Sequence, residues 1–347
     1  LLWVAWREKP DVIHIHWLNT LTTGPTWPRT VIKGLRTLIE LLLAKFVGIT
    51  IVWTVHNLTI HEQTYARWEL LLRRIVSRWF CDHLIVHCNV AKASVREKYD
   101  LGSSTPITVV PHGHYIGTYP DDLSKDEARK RLGIGSEKTV FTFFGQIRPY
   151  KQVPYLIDTF DELDHENAML VIAGSPNDES LQRDIVKRCA GREDTLTKLE
   201  FIPDEEVAQY FRAADIIVLP YRDILSSGSA LLAMSFACPV IAPRIGCLPE
   251  LVNDGINGLL YDPGNSTGLE QALETAIESD LDEMGKEGYE TVAKFDWDWI
   301  AERTQHIYGT ARSVGSSRRT KRRATDDNTR KGPEPGRWRL PPVHHDP

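Results

Sequence analysis

Two cations lie three residues apart in a loop that directly follows a strongly apolar segment. Arg148 and Lys151 come after the run VFTFF and its closing Gly145, and the residues behind them have the pattern of a helix. A guanidinium and an ammonium beside a helix N-terminus can neutralise two phosphate groups. Taken alone, the pair is also consistent with ordinary surface charges.

A second candidate anion site follows the apolar run IIVLPY. Ser226, Ser227 and Gly228 open the helical segment ALLAMSFA, where backbone N–H groups are available to an anion and glycine permits a close approach. Asp223 precedes them. The alternative is a serine N-cap without a ligand. The next strand, PVIAP, leads into a turn that places the Glu250 carboxylate on a new helix.

Histidines accompany two strands of the N-terminal half. His14 and His16 share one face of the strand VIHIHWL, and His56 and His61 follow the next strand. Zinc would need further ligands, and a His-x-His pair without a carboxylate or cysteine partner in the same motif is weak evidence for a metal. We therefore expect no metal, and we interpret the histidines as hydrogen-bonded cleft residues that contact a hydroxylated substrate.

The elements that must position these residues alternate between short β-branched runs and longer amphipathic segments. This alternation predicts βαβ units, and so an α/β fold with parallel sheets. It breaks once, at the turn-rich segment between Val110 and Thr139. We interpret that segment as a linker between two Rossmann-like, doubly wound domains that face a ligand-binding cleft.

The predicted organisation has four parts. An N-terminal domain covers residues 1–115, a C-terminal domain covers 116–296, a helix over 297–311 returns towards the N-terminal domain, and a disordered basic tail covers 312–347. Trp297, Ile300, Thr304 and Tyr308 share one face of the returning helix. The tail has few aliphatic residues and so cannot offset its ordering entropy.

Composition excludes several classes of protein. The 347 residues are 42% hydrophobic and 25% charged, which excludes global disorder, and no apolar run reaches the ~18 residues of a membrane span. The net charge of −6 divides into +5 for residues 1–115, −17 for 116–311 and +6 for 312–347. We expect no nucleic-acid partner. Five cysteines without a CxxC pair indicate a reduced cytoplasmic compartment.

Two basic amphipathic segments, residues 29–46 and 67–80, are candidates for a membrane-facing surface. The first carries Arg29, Lys33 and Arg36, and the second carries four arginines with interfacial tryptophans: Arg67, Arg73, Arg74 and Arg78 with Trp68 and Trp79. Such helices are typical of docking on anionic lipid. The alternative is a pair of ordinary helices, each with one face in the core.

The motifs together resemble the family 4 (group 1) glycosyltransferases, which have the GT-B fold. The similarity covers about residues 1–310 and rests on PDVIHIHW, TVHN, ITVVPHG, FFGxxRPxK, LVIAG, PVIAPRIGCLPELVNDGINGLLYDPGN and FDWDWIAERTQHIY. It implies transfer of a hexose from a UDP- or GDP-sugar to a glycan or lipid-linked acceptor, with retention and without a metal or other cofactor. Localisation would be cytoplasmic, with peripheral association at the inner face of the plasma membrane.

The resemblance also implies roles for individual residues. Arg148 and Lys151 match the pair that neutralises the donor pyrophosphate, His16 matches a histidine near the transferred sugar, and His56 lines the same cleft. The catalytic set is thus His16, His56, Arg148 and Lys151. The donor-binding set is Gly145, Arg148, Lys151, Asp223, Ser226, Ser227, Gly228 and Glu250.

The sequence departs from the family pattern at three points. The two glutamates of the family's Glu-x7-Glu motif fall on Ile224 and Leu232, with Asp223 one residue from the first, and the arginine expected after the loop glycine is Gln146. The family's first strand and glycine-rich loop should precede PDVIHIHW, so we expect this chain to be truncated, with reduced or no turnover. The alternatives to a transferase are a catalytically inactive nucleotide-sugar-binding or partner-binding relative and a nucleotide-sugar epimerase.

Overall fold

The described part of the chain forms two parallel β-sheets with helices packed against them. The computed structural model describes residues 7–8, 10–59, 65–163 and 166–323, with side chains as far as residue 313. The N-terminal sheet has the order β1-β2-β3-β4, with β1 Val12–Ile15, β2 Thr50–Thr54, β3 His83–Val86 and β4 Ile107–Val109. The predicted α/β fold with parallel sheets is confirmed.

Four helices belong to the N-terminal sheet. They are α1 Leu18–Thr22, α2 Trp27–Val47, α3 Ala66–Ile75, which a π-helical turn Val76–Phe80 continues, and α4 Asn89–Lys98. Proline near the start of α2 and Gly48 in the left-handed conformation after its end fix the limits of this helix. Within the described residues, no helix is long and apolar enough to span a bilayer.

The C-terminal sheet has the order β10-β9-β8-β5-β6-β7. Its strands are β5 Thr139–Phe144, β6 Ala168–Ala173, β7 Thr195–Lys198, β8 Ile216–Val218, β9 Val240–Pro243 and β10 Gly258–Tyr261. Residues 140–144 of β5 are all buried, because helices cover both faces of the sheet. The strand order reverses between β5 and β8, so the loops after these two strands diverge and open a crevice for a ligand.

The helices of this half begin with α5 Lys125–Leu132, whose start is fixed by a capping box of Ser124 and Glu127. A 3₁₀ turn Pro149–Lys151 precedes α6 Val153–Asp161. The following helices are α7 Glu179–Cys189, α8 Asp204–Ala213, α9 Gly228–Ser235, α10 Leu248–Leu251, α11 Gly268–Glu278, α12 Leu281–Val292 and α13 Trp297–Arg323.

Helix α13 returns from the C-terminal sheet to the N-terminal one. Ile300, Ile307 and Ala311 are buried against Val52 and Ile85 of strands β2 and β3. This contact joins the two halves of the chain through apolar burial rather than through the linker alone. The helix continues to Arg323, so the prediction of a disordered tail from residue 312 is wrong for residues 312–323. Residues 324–347 of that predicted tail lie outside the described residues.

Candidate functional site

Four neighbouring strands of the N-terminal sheet each end in a residue of one hydrogen-bonded chain. His16 follows β1, His56 follows β2, His87 follows β3 and Val110 follows β4. His16 Nδ1 lies 3.1 Å from His56 Nε2, and His56 Nδ1 lies 3.1 Å from His87 Nε2. His87 Nδ1 lies 3.0 Å from the Val110 carbonyl oxygen. We call these three side chains and this carbonyl the histidine chain.

Desolvation and the neighbouring histidines disfavour the charged form of these imidazoles. Desolvation, followed by the neighbouring histidines, lowers the pKa of His56 to about 2. Desolvation outweighs the Val110 hydrogen bond and lowers the pKa of His87 to about 4. The pKa of His16 is lowered for the same reason, first by desolvation and then by His112. The chain therefore carries no net charge near neutral pH.

His14 lies beside the histidine chain but points elsewhere. Its Nδ1 is 2.7 Å from the Tyr308 hydroxyl of α13, and its Nε2 is 2.7 Å from Thr54 Oγ1. Desolvation, with a smaller effect of His16, lowers its pKa to about 3. This histidine therefore fastens the returning helix to β1 and β2. His61 lies outside the described residues.

Lys151 is the central cation on the other side of the cleft. Its side chain is buried, and its Nζ lies 5.8 Å from the centre of the Phe143 ring and 5.7 Å from that of Tyr221. No carboxylate of the described residues forms an ion pair with this ammonium. Desolvation, with a smaller effect of Arg148, lowers the pKa of Lys151 to about 8. A buried ammonium without a counter-ion favours an anionic ligand.

Arg148 stands at the entrance to the same loop. Its Nη1 donates to Asn177 Oδ1 at 3.0 Å, and its Nη2 and Nε donate to Gln146 Oε1 at 3.2 and 3.3 Å. Gln146, at the position where the family pattern has an arginine, is therefore a partner that orients Arg148. The two predicted cations do lie in one loop, but only Lys151 is buried.

Gly145 lies beside Lys151 and the first turn of α9. It has a φ of +117°, and a Cβ built there would lie 3.6 Å from Lys151 Nζ and 3.7 Å from Ser229 Oγ. The glycine thus brings the β5 loop close to the first turn of α9 without filling the gap. Lys151, the backbone of Gly145 and the N-terminus of α9 converge on one region.

The loop before α9 is fixed from several sides. Ser227 caps the helix by accepting a hydrogen bond from the Ala230 N–H at 3.2 Å. Burial raises the pKa of Tyr221 to about 12, although hydrogen bonds shared with Ser229 and Ser227 lower it in part. A Cβ on Gly246 would lie 2.3 Å from the Ile224 carbonyl oxygen, so the neighbouring turn supports this loop at backbone distance.

The two halves of the site meet directly. Ser226 Oγ donates to the His56 carbonyl at 3.3 Å, and a disulfide joins Cys88, the N-cap of α4, to Cys247, the residue before α10. The sequence did not predict this disulfide. These contacts bring the α9 loop and the histidine chain to the same cleft.

Glu250 forms its hydrogen bonds with the other domain. Its carboxylate accepts hydrogen bonds from the Val90 N–H at 2.7 Å, the Asn89 N–H at 2.9 Å and Asn89 Nδ2 at 3.0 Å. These bonds hold the pKa of Glu250 below its usual value despite the opposing effect of desolvation. The residue thus caps α4 of the other domain, and its predicted role in donor binding stays a prediction.

The two residues at the positions of the family glutamates, Ile224 and Leu232, differ in their burial. Leu232 lies in the core cluster on α9, whereas Ile224 is half-buried in the loop and packs against that cluster. Asp223 is exposed beside it. Gly228 begins α9, and its hypothetical Cβ would lie 3.3 Å from the Tyr115 hydroxyl. No group of three or more His, Cys, Asp or Glu side chains among the described residues has the arrangement of a metal site.

Comparisons with known proteins fit this geometry. The family model for glycosyl transferases group 1 matches residues 124–291. This segment is similar to the group 1 glycosyl transferases. A GDP-mannose:glycolipid 4-β-D-mannosyltransferase of Xanthomonas campestris pv. campestris is 29% identical over 69% of this chain and 63% of the relative. A D-inositol 3-phosphate glycosyltransferase of Corynebacterium glutamicum (strain R) is 28% identical over 88% of this chain and 74% of the relative.

Solved structures share the fold of this chain. Sucrose-phosphate synthase from Thermosynechococcus elongatus superposes with a TM-score of 0.73 at 18% identity, over 89% of this chain and 76% of that one. Anabaena HepE in complex with UDP superposes with a TM-score of 0.71 at 17% identity, over 88% and 80%. The predicted GT-B architecture, two Rossmann-like domains facing a cleft, is confirmed.

Sequence reasoning missed several residues of this candidate site. His87, Ser229, Tyr115 and the pair Cys88 and Cys247 all lie in the cleft or next to it. His87 and Cys88 had a usable signal, because they directly follow the apolar run HLIV, and strand ends carry ligand-binding residues in such sheets. The Val110 carbonyl had none, since every residue type carries a carbonyl group.

Proposed function

We propose that this protein transfers a hexosyl group from a nucleotide-diphosphate sugar to a hydroxyl group of a glycan or lipid-linked acceptor. The proposal rests mainly on one observation, the buried Lys151 ammonium beside the N-terminus of α9, with which no carboxylate of the described residues forms an ion pair. The family match supports the transferase class. The chain spans about 63% of the length of its Xanthomonas relative, so the activity is proposed for the whole protein that contains it.

The arrangement suits departure of a nucleoside diphosphate. As the bond between the sugar and the diphosphate breaks, negative charge develops on the leaving phosphate oxygen. Lys151 lies where it can stabilise that charge, Arg148 lies at the mouth of the loop, and the N–H groups of α9 add a partial positive charge. Because these fixed charges supply what Mg²⁺ supplies elsewhere, we propose a metal-independent reaction, with retention as the family resemblance implies.

The absence of the two family glutamates bears on affinity more than on charge stabilisation. A neutral hydroxyl pair that loses one hydrogen-bonding partner binds more weakly by about 1–3 kcal/mol. We therefore expect the diphosphate to contribute most of the donor affinity in this chain. UDP and GDP are the candidate nucleotides.

Calorimetric titration of the full chain with UDP, GDP and ADP tests this donor site. We expect one nucleotide to bind saturably, and Lys151→Met to abolish that binding because it removes the charge with little change in volume. Lys130→Met on the exposed face of α5 is the matched control and should bind like the wild type. Absence of binding by every nucleotide would favour a catalytically inactive relative. Binding without transfer to any acceptor would do the same.

We propose in addition that the acceptor is presented at an anionic membrane surface, because α2 exposes its large apolar side chains and buries mainly polar or small ones. Its buried residues are Thr30, Gly34, Thr37, Glu40, Leu41 and Ala44, of which four are polar or glycine. Its exposed residues include large apolar ones: Ile32, Leu35, Ile39, Leu42, Leu43, Phe46 and Val47. Contiguous exposed apolar surface of this kind marks a docking face. We call it the α2 face.

Basic side chains border the α2 face. Arg29, Lys33 and Arg36 are exposed on α2, and Arg67, Arg74 and Arg78 are exposed on the segment from α3 through the following turn, next to Trp79. Exposed apolar side chains with exposed basic side chains on the same helix and on its neighbour match a bilayer interface with anionic headgroups. Arg73 is not part of this surface. It is buried in an ion pair with Glu69 at 2.5 Å, which corrects its predicted place among the docking arginines.

Vesicle co-sedimentation tests this surface. We expect binding to phosphatidylglycerol-containing vesicles but not to pure phosphatidylcholine vesicles, and loss of binding in both Leu35→Ser/Leu42→Ser and Arg67→Glu/Arg74→Glu. The control Arg183→Glu on α7 of the C-terminal domain should bind like the wild type. A dimer in solution that Leu42→Ser dissociates would instead assign the α2 face to a second copy of the chain.

A further inference from the structure

The histidine chain has a fixed direction. A carbonyl oxygen only accepts hydrogen bonds, so the bond between His87 and Val110 requires the proton on His87 Nδ1. A neutral imidazole has one donor and one acceptor, so His87 Nε2 is an acceptor and must receive the proton of His56 Nδ1. The same argument makes His56 Nε2 the acceptor for the proton of His16 Nδ1.

The position of the proton on His87 therefore fixes the position of the proton on His16, at the other end of the histidine chain. With its proton on Nδ1, His16 has a lone pair on Nε2, and no described residue forms a hydrogen bond to that nitrogen. The His16 residue is exposed on the cleft side of β1, next to the contact between Ser226 and His56. Trp17 stacks on His56 at 4.6 Å between ring centroids and limits the movement of the middle ring.

We propose that His56 and His87 are positioning residues, anchored on the Val110 carbonyl, that hold His16 in its Nδ1–H tautomer so that Nε2 accepts a hydrogen bond from a sugar hydroxyl. The inference rests on the proposed transferase function for the identity of the ligand, but the tautomer follows from the hydrogen bonds alone. It gives His16 a specific task, to bind a hydroxyl donor, and assigns a role to His87.

The histidine chain fixes which nitrogens carry protons and does not conduct protons. A proton that arrived at His16 Nε2 would have to leave through His87, and the Val110 carbonyl cannot take it up. Protonation of His56 would set two N–H groups against each other at one neighbour, so the neutral state is the one in which all three bonds form together. The lowered pKa values of His56 and His87 agree with that state.

Nuclear magnetic resonance of the full chain labelled with ¹⁵N-histidine tests the tautomer without any substrate. Two-bond ¹H–¹⁵N correlations near pH 7 should show His16, His56 and His87 each as a single Nδ1–H tautomer. In His87→Phe, which lacks the acceptor, the His16 and His56 signals should shift towards a mixture of tautomers. In His87→Gln, whose amide oxygen replaces the acceptor, they should remain as in the wild type.

His83→Gln, at the opposite end of β3, is the matched control and should leave the His16 signals unchanged. An Nε2–H tautomer or a rapid mixture at His16 in the wild-type chain would overturn the proposal. That spectrum needs no variant to fold and no active enzyme, so it separates failure of this inference from failure of the transferase proposal.

A double-mutant cycle on kcat/KM tests the coupling. His87→Phe should lower kcat/KM about tenfold in the wild-type background and less than about twofold in a His16→Ala background, because its effect passes through His16. His87→Gln should restore most of the loss. Equal losses in the two backgrounds would mean that His87 has only a structural role, and would contradict the proposal.

Discussion

The Lys151 ammonium makes donor binding sensitive to pH. Desolvation, together with Arg148, lowers its pKa to about 8, so the side chain is charged below about pH 8 and neutral above it. A diphosphate binds the charged form, so affinity should be constant below about pH 7. Above about pH 8 it should fall, by up to about tenfold per pH unit. Calorimetry between about pH 6.5 and 9.5 would measure this.

Lys151→Arg provides the control for that titration. The variant should bind the nucleotide more weakly at neutral pH, because a planar guanidinium differs in shape from an ammonium. Its affinity should not change above about pH 8, because an arginine stays charged throughout this range. A wild-type affinity that is flat across the whole range would contradict the assignment of Lys151 as the phosphate cation.

Single residues differ in how far the sequence alone could place them. Arg148 and Lys151 share a short loop, so their proximity follows from the sequence, and the structure has both in that loop. The histidine chain joins residues separated by 40, 31 and 23 positions, and its anchor is a main-chain atom. Glu250 was placed correctly on a helix, but its partners Asn89 and Val90 belong to the other domain.

The shape of the loop after β5, which contains Gly145, depends on Gly174, the glycine that directly follows β6. Gly174 has a φ of +144°, and a Cβ there would lie 2.0 Å from the Gly145 carbonyl oxygen. Gly174→Ala should therefore move the Gly145 loop, destabilise the fold by about 2–4 kcal/mol and abolish nucleotide binding. Gly191 has a φ of +76° and open space around it, so Gly191→Ala isolates the backbone strain and should cost only about 1 kcal/mol. Urea denaturation measures both, and equal costs would contradict the steric argument.

Helix α2 shows what periodicity cannot decide. The sequence has a clear apolar stripe, and a stripe predicts a helix with one distinctive face but does not say whether that face meets the core. Adjacent leucines provide the test, because Leu41 is 0% exposed and Leu42 is 59% exposed. Leu41→Ala should cost about 2–4 kcal/mol of unfolding free energy and Leu42→Ala less than about 0.5 kcal/mol. A reversed order would mean that the apolar stripe is the core face.

At the scale of the whole molecule, the alternation of strands and helices was enough to predict two parallel sheets and a linker between them. The reversal of strand order at β5 and β8 was not visible in the sequence, since it depends on which strand pairs with which. The contacts that close the cleft also could not be predicted from the sequence. Closure depends on α13, on Ser226, on Glu250 and on a disulfide whose cysteines are 159 residues apart.

That disulfide connects the two domains beside the donor site, and its reduction should loosen the cleft. Cys88 caps α4 of the N-terminal domain, Cys247 precedes α10 of the C-terminal domain, and the hydrogen bonds of Glu250 cross the same junction. Without the covalent link, these bonds, the Ser226 contact and the packing of Leu225 against the N-terminal core hold the loop against α4. Residues 88–92 and 244–252 should then exchange amide hydrogens faster. The disulfide closes a covalent loop that restricts local opening of these segments, and its reduction removes that restriction.

Hydrogen exchange with and without dithiothreitol measures this effect, with Cys88→Ser as the genetic equivalent. Cys189→Ser, which removes a free and half-buried thiol far from the junction, is the control and should leave both segments as protected as in the wild type. Nucleotide should also dissociate faster from the reduced protein, because the domains that surround it separate more readily. Identical exchange in oxidised and reduced protein would mean that the non-covalent contacts between the domains are enough to hold the cleft closed. The disulfide would then contribute nothing to its opening.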